Sequence, residues 1–199
     1  MPGAFVPEIR VLVDADCLHK LYLRTLLLTL ATDGHMQLLW TEEIFQEAVQ
    51  SLIARFPESN SKLRKKFKAI KEFFYETEVT GHEHLIGSLG CRDKNDEHVL
   101  AAAIQGRADV LLTFNLRDFP STVHSQPEIV HPDIFLALWF TENTEVGISV
   151  LAKWLVRFKY PSIDSSSATA LLKRLGCPNL ALFIGANAVA IDECIRGLG

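Results

Sequence analysis

The chain has 199 residues, 48% of them apolar, and a formal net charge of −4 from 20 Lys and Arg against 24 Asp and Glu. That is enough apolar material for one core of ordinary size plus a small appendage, and it excludes intrinsic disorder. The acidic balance also excludes a generally basic nucleic-acid coat, so contact with a polyanion has to be local and assisted by a metal.

Residues 9–13 read as a short buried strand, and residues 18–30 as a helix whose many leucines predict burial on more than one side. Asp33-Gly34 ends that helix in a turn, and residues 37–40 form a second strand. Thr41 then caps a helix that runs to about Phe56, with Glu42 and Glu43 in the first turn, where the macrodipole favours acids. Over residues 61–74, Leu63, Phe67, Ile70 and Phe74 recur at helical spacing opposite Lys62, Arg64, Lys65, Lys66, Lys68 and Lys71. Residues 77–79 are a candidate strand and 81–90 a loop; Asp93 caps a helix over 94–105 that Gly106 closes. Residues 110–113 make a core strand, 128–130 a short edge strand, and 133–140 a helix after Pro132. Strands alternating with helices predict an α/β fold, a parallel sheet covered on both faces.

The polar stretch 141–147 sets a boundary between a main domain, residues 1–143, and a helical C-terminal extension, residues 144–199. In the extension, residues 150–159 carry Leu151, Trp154, Leu155 and Phe158 on one side. Ser165 to Ser167 supply a cap for a helix to Leu175, and Gly176 stops it. The extension is too short for a core of its own and is expected to pack on the main domain. Cys17, Cys91, Cys177 and Cys194 show no zinc-type spacing and read as reduced, mostly buried thiols. No stretch near the start has signal-peptide character, so a cytoplasmic protein is expected. The uncharged run 175–191 holds Pro178 and two Asn and is shorter than a bilayer needs, so no membrane span is expected.

The chemistry-bearing residues are carboxylates placed where apolar runs have just ended: Asp14, Asp96 and Asp118. In an open parallel sheet the crevice beyond the carboxyl ends of the strands is the usual ligand site, and crowded carboxylates there call for a hard cation. A divalent-metal hydrolase follows. Each acid also has a plainer reading. Asp14 could be a helix N-cap, although Asp16 is the better cap. Glu47 on its own is a mid-helix acid facing water. Asp93 is first of all an N-cap, which puts Asp96 in the first turn, and Asn115 and Asp118 could simply make turns.

Taken in order, Val11-Leu12-Val13-Asp14-Ala15-Asp16, the stretch from Thr41 to Glu47, Arg92-Asp93-Lys94-Asn95-Asp96-Glu97-His98-Val99-Leu100-Ala101-Ala102-Ala103, and Leu112-Thr113-Phe114-Asn115-Leu116-Arg117-Asp118-Phe119 resemble the PIN-domain ribonuclease family, especially its VapC-like toxins. The resemblance covers residues 9–140 and implies an α/β/α sandwich, with the extension similar to a helical tail on one branch of these toxins. It implies Asp14 as the first metal-binding acid, Glu47 as the second and Asp96 as the third, with Asp93 beside it as a fourth contributor. The family often has an acid where Asn115 stands, and Asp118 is the substitute.

Phosphodiester cleavage needs phosphate charge neutralised and a water deprotonated near neutral pH, and Mg2+ or Mn2+ held by carboxylates does both. On this reading Asp14, Glu47 and Asp96 are catalytic. Asp14 and Asp96 hold the principal ion, Glu47 orients the water or holds a second ion, and Asp118 or Asn115 completes the shell. The basic helix, with Arg64, Lys65, Lys66 and Lys68, either contacts RNA phosphates or is a solvated face opposite a buried stripe. His82, His84, His98 and His124 are given no role. The resemblance implies an RNA substrate, tRNA among the candidates, together with a small antitoxin partner and a homodimer. Two other readings stay open: a PIN-like scaffold that binds RNA or protein without turnover, which Asn115 favours, and a haloacid-dehalogenase-type phosphatase, which Asp14-Ala15-Asp16 imitates without the downstream pattern.

Overall fold

Four short strands lie side by side in the computed structural model of this chain, which describes residues 9–120 and 127–198. They are β1 (Arg10–Val13), β2 (Gln37–Leu39), β3 (Val110–Leu112) and β4 (Glu128–Val130). All pairings are parallel and the spatial order is β2-β1-β3-β4. Val11, Leu12, Val13, Leu38, Leu39, Leu111 and Leu112 are buried, as expected for parallel strands covered on both faces, while Glu128 on edge strand β4 is exposed. The helices are α1 (Ala15–Leu18), α2 (Leu21–Thr32), α3 (Glu42–Arg55), α4 (Asn60–Phe73) and α5 (Glu97–Gln105). After β4 come α6 (Pro132–Glu142), α7 (Thr144–Leu155), α8 (Ser165–Arg174), α9 (Pro178–Ala186) and α10 (Ala188–Leu198). The expected architecture, a parallel sheet flanked by helices, is the one found.

The chain divides into two compact units, Met1–Arg24 with Gly34–Val130, and Thr25–Asp33 with His131–Gly199. The division falls before α6, whereas the polar stretch 141–147 had pointed to a boundary after it. That stretch is helical on both sides of Asn143, because the Asn143 and Thr144 side chains bond back onto the Trp139 and Phe140 carbonyls and bridge α6 to α7. In the sheet-bearing unit, Ala101, Ala102 and Ala103 on α5 are fully buried, and their small side chains let the helix approach closely. In the other unit, Asp133 is buried and binds the start of α9: Oδ1 accepts from Leu180 N, and Oδ2 from Asn179 N and Nδ2. Two orphan backbone donors of a helix start are thereby satisfied, and the Asn179 side chain with them.

Several elements depart from the sequence expectation for visible reasons. The helix expected over 18–30 is broken at His19 and Lys20, where the buried Arg24 guanidinium donates to the Leu18 carbonyl in place of a helical N–H. The strand expected at 77–79 is a single parallel bridge from Trp40 to Glu78, because Tyr75–Thr77 already turns as a 3-10 segment. The cap of α8 is Asp164, whose Oδ1 accepts from Ser167 N, not the serines that follow it. Asp16 is not a cap either; it lies inside the first turn of α1.

Candidate functional site

Because β1 lies between β2 and β3, their carboxyl ends open on one place, and the residues just beyond them become neighbours. Val13 pairs with Leu112, so Asp14 and Thr113, the next residues on each strand, face one another. The Asp14 amide extends the ladder to the Leu112 carbonyl at 3.0 Å. Asp14 holds the N-cap position of α1 but makes no capping bond. Its Oδ2 instead accepts from the Thr113 hydroxyl at 2.7 Å, and that hydroxyl also accepts from Asn115 N at 3.0 Å. Burial pushes the Asp14 carboxyl above the usual range, and the Thr113 bond pulls it partly back.

On the β2 side, Thr41 caps α3 through its hydroxyl, which accepts from Ile44 N, and the helix then carries Glu43 and Glu47 on one face one turn apart. Glu47 is exposed at the rim, with its carboxyl raised by partial burial and by the charges of Asp14 and Glu43, against a lowering by His98. From the third side, Asp93 Oδ1 accepts from Asn95 N and caps a 3-10 turn, Lys94–Asp96, that runs into α5. The expected single helix over 94–105 is thus two segments, and the turn ends with Asp96 at the mouth of α5.

Asp96 carries a strongly perturbed carboxyl. Partial burial together with the charges of Asp14, Asp93 and Asp118 raises it to about 6, and His98 opposes them. Its Oδ2 is buried without a hydrogen-bond partner. Asp16 is also raised, by burial and by Asp14, and its Oδ1 is likewise buried and unpartnered. Asp118, Asn115, Asp93, Arg92 and Arg117 line an open hollow of about 430 Å³, held together by the Arg92 N–H bond to the Asp118 carbonyl. The Lys20 ammonium sits 3.8 Å from the Phe114 ring centroid and lowers both Asp14 and Asp16.

These side chains fit a hard divalent cation. The donors are carboxylates, they raise one another's affinity for protons, and two buried oxygens lack the partner that burial demands. Asp14 therefore acts on both Glu47 and Asp96, with Asp93 and Asp118 close enough to raise Asp96 as well. Arg64, Lys65, Lys66 and Lys68 lie exposed on α4, outside the acidic group. Arg64 bonds to Asn60, Lys68 is 3.7 Å from Glu72, and Lys71 ties α4 to α3 through Glu42 at 2.6 Å.

Three residues that the sequence reading left out of the site belong beside it. His98, set aside for want of ligand spacing, lies 3.6 Å from Glu47 through Nε2. Glu43 joins them, one ligand atom from each of the three falling within 4.8 Å of the others. The available signal was local: Glu43 and Glu47 are four apart, and His98 is two residues beyond Asp96. Glu97 is buried and accepts from Gly87 N, Leu89 N and Gly90 N, bonds that hold its carboxyl below the usual range and pin the loop before Asp93. His124 lies outside the described residues.

A family profile described as PIN domain matches residues 10–117, more than half of the 199. The chain is similar to "Putative ribonuclease VapC50" of Mycobacterium tuberculosis (strain ATCC 25618 / H37Rv), with 43% identity over 58 residues, 28% of this chain and 34% of that protein. The chain thus spans about a third of the curated relative it matches. No solved structure matches. The profile match over residues 10–117, together with the parallel sheet in the order β2-β1-β3-β4, shows that this chain belongs to the PIN-domain family.

Proposed function

We propose that this chain is a metal-dependent endoribonuclease, the toxin of a toxin–antitoxin pair, that hydrolyses RNA phosphodiesters at the Asp14, Glu47 and Asp96 cluster. The observation that carries this reading is Asp96: its carboxyl is raised by partial burial and by three neighbouring acids, and one of its oxygens is buried without a partner. Carboxylates so crowded are the stored repulsion that a cation relieves.

Asp14 and Asp96 would hold the principal Mg2+ or Mn2+, with Asp93 and either Asp118 or Asn115 completing its surroundings. A divalent ion bound there supplies neutralisation of phosphate charge and lowers the pKa of a water near it. Thr113 fixes the rotamer of Asp14, so the acid meets its ligand without reorganisation. Glu47, at the rim and within the influence of Asp14, is placed to orient the attacking water and take its proton. Arg92 and Arg117 beside the acidic hollow offer bidentate contacts for phosphates, and the exposed Arg64, Lys65, Lys66 and Lys68 would add phosphate contacts outside it.

The ribonuclease and VapC name of the similar protein supports RNA as substrate and a small antitoxin as partner, with tRNA the first RNA to be tried. A homodimer is supported by exposed Ile134, Leu138 and Leu182 around one apolar hollow in the unit that holds α6 to α10. No helix among the described residues is long and apolar enough to cross a membrane, and the cytoplasm is the proposed place of action. Membership of the PIN family leaves the phosphatase reading without support.

The test is cleavage of labelled tRNA and single-stranded RNA with Mn2+, with EDTA, and by Asp96→Asn. Cutting that needs metal and is lost in the variant supports the proposal. Metal binding with every RNA left intact would move the assignment to a non-catalytic scaffold.

A further inference from the structure

His98 is 6% exposed, and its Nδ1 lies 2.6 Å from the Asn95 carbonyl oxygen. A carbonyl only accepts, so Nδ1 carries a hydrogen, and in its neutral form the ring holds its lone pair on Nε2. That atom is buried, has no hydrogen-bond partner among the described residues, and points at Glu47 Oε2 from 3.6 Å, too far for a hydrogen bond. Two lone-pair donors facing one another across such a gap call for a positive charge between them. The separation is what two ligands show when they share one ion at roughly 2.1 Å each. Glu43, one turn before Glu47 on α3, brings a third donor within the same 4.8 Å group.

We propose that Glu43, Glu47 and His98 Nε2 form a second metal site, made from α3 and α5 and selective for a transition-metal dication such as Zn2+, Co2+ or Mn2+ over Mg2+. The imidazole decides the selectivity, because nitrogen donors suit these ions whereas Mg2+ prefers oxygen ligands and water. The Nδ1–H bond to the Asn95 carbonyl is the outer partner that metal-binding histidines use to fix tautomer and ring orientation. This site shares Glu47 with the proposed nuclease centre and so rests on that reading, while differing from it in donor set and in metal.

The test uses the whole chain without RNA. Mn2+ is titrated into wild type, Asp96→Asn and Glu43→Gln at pH 7.5, with stoichiometry from equilibrium dialysis and nitrogen coupling from pulsed electron paramagnetic resonance. Wild type should bind two ions per chain, and Asp96→Asn should keep one that shows 14N coupling and resists competition by excess Mg2+. Glu43→Gln, an exposed change that leaves the fold intact, should weaken that ion at least about tenfold. His98→Asn should abolish the nitrogen signal. A wild-type chain whose bound Mn2+ shows no 14N coupling, no 14N coupling in Asp96→Asn, or a His98 ring protonated at both nitrogens and unmoved by Zn2+ in 15N spectra would overturn the site and leave a His98–Glu47 ion pair. Failure of the nuclease reading appears elsewhere, as uncut RNA with both ions bound.

Discussion

The Thr113 hydroxyl donates to Asp14 Oδ2 at 2.7 Å across 99 residues of sequence, and the same hydroxyl accepts from Asn115 N at 3.0 Å. One fully buried side chain thus sets the rotamer of the first acid and the path of the loop that bears Asn115 and Asp118. Thr113→Val preserves the shape but leaves both partners unsatisfied, so it should cost about 1–3 kcal/mol by urea unfolding. Losing the donor lets burial raise Asp14 further, so Mn2+ affinity should also fall, by roughly tenfold. Thr113→Ser should restore both. Unchanged metal affinity in the Val variant would show that Asp14 does not depend on this contact.

Asp96→Asn removes the charge that three other acids oppose. In EDTA the variant should be more stable than the wild type by about 1 kcal/mol after allowing for solvent screening of this half-buried group, a Tm gain of roughly 2–4 °C. Activity should disappear while stability rises. A calorimetric scan in which the variant melts earlier would sink the account of Asp96 as a strained ligand.

The pH dependence has a definite sign. The folded-state pKa of Asp96 is raised from 3.8 to about 6, and Asp14, Asp16 and Glu47 move the same way. The metal-free folded protein therefore binds more protons than the unfolded chain between those values, and this contribution to stability is lost as pH rises through about 6. Metal reverses the trend, because its ligands must be deprotonated. The Tm increase on adding Mn2+ should grow from pH 5 to pH 7.5, with affinity falling about tenfold per unit below pH 6. Differential scanning fluorimetry with and without Mn2+ reads this directly, and a shift independent of pH would contradict it.

Glu97 works in the opposite sense. Its carboxyl is held down by the Leu89, Gly87 and Gly90 amides, so the stability it adds is present above the ordinary Glu value of 4.5 and is lost as pH falls through its lowered folded pKa. Gly87 and Gly90 have φ of +96° and +72°, a backbone that side chains resist, so the loop depends on these bonds and these glycines together. In Glu97→Gln, amide exchange at residues 87–90 should accelerate while β1 and β3 stay protected. Equal protection in both proteins would mean that the loop is held by something else.

Gly106 tests the packing beneath the site. A Cβ there would meet Val79 Cγ2 at 2.7 Å and the Ala102 carbonyl oxygen at 3.0 Å, and the Gly106 carbonyl already accepts from the Arg10 guanidinium. Gly106→Ala should therefore destabilise by about 1–3 kcal/mol in chemical unfolding. A neutral substitution would show that α5 is free to shift.

Charge reversal at Lys65 and Lys66 should lower RNA affinity and flatten its salt dependence if α4 contacts the backbone, each lost phosphate contact reducing the slope by about 0.7–0.9. An identical slope in filter binding would leave α4 as a solvated face.

The strands and the acids that follow them were legible in the sequence, because a strand buried on both faces must be apolar along its length and a carboxylate at its end breaks that pattern conspicuously. Residues 9–13 and 110–113 announced β1 and β3 in this way, and the composition of residues 61–74 announced α4 with its basic back. What only the tertiary structure decided is which of these ends meet. The sheet order puts β3 beside β1 and so gives Asp14 its Thr113; residues 99 apart carry no sequence signal of pairing. The approach of α3 to the start of α5 brings Glu43, Glu47 and His98 to one point, although His98 looks on its own like any helix histidine. The break between α1 and α2 is equally tertiary, since it depends on a buried guanidinium reaching the Leu18 carbonyl. Periodicity reports how each segment faces a core, whereas the direction in which two segments aim their side chains at each other is fixed only when the sheet has ordered its strands.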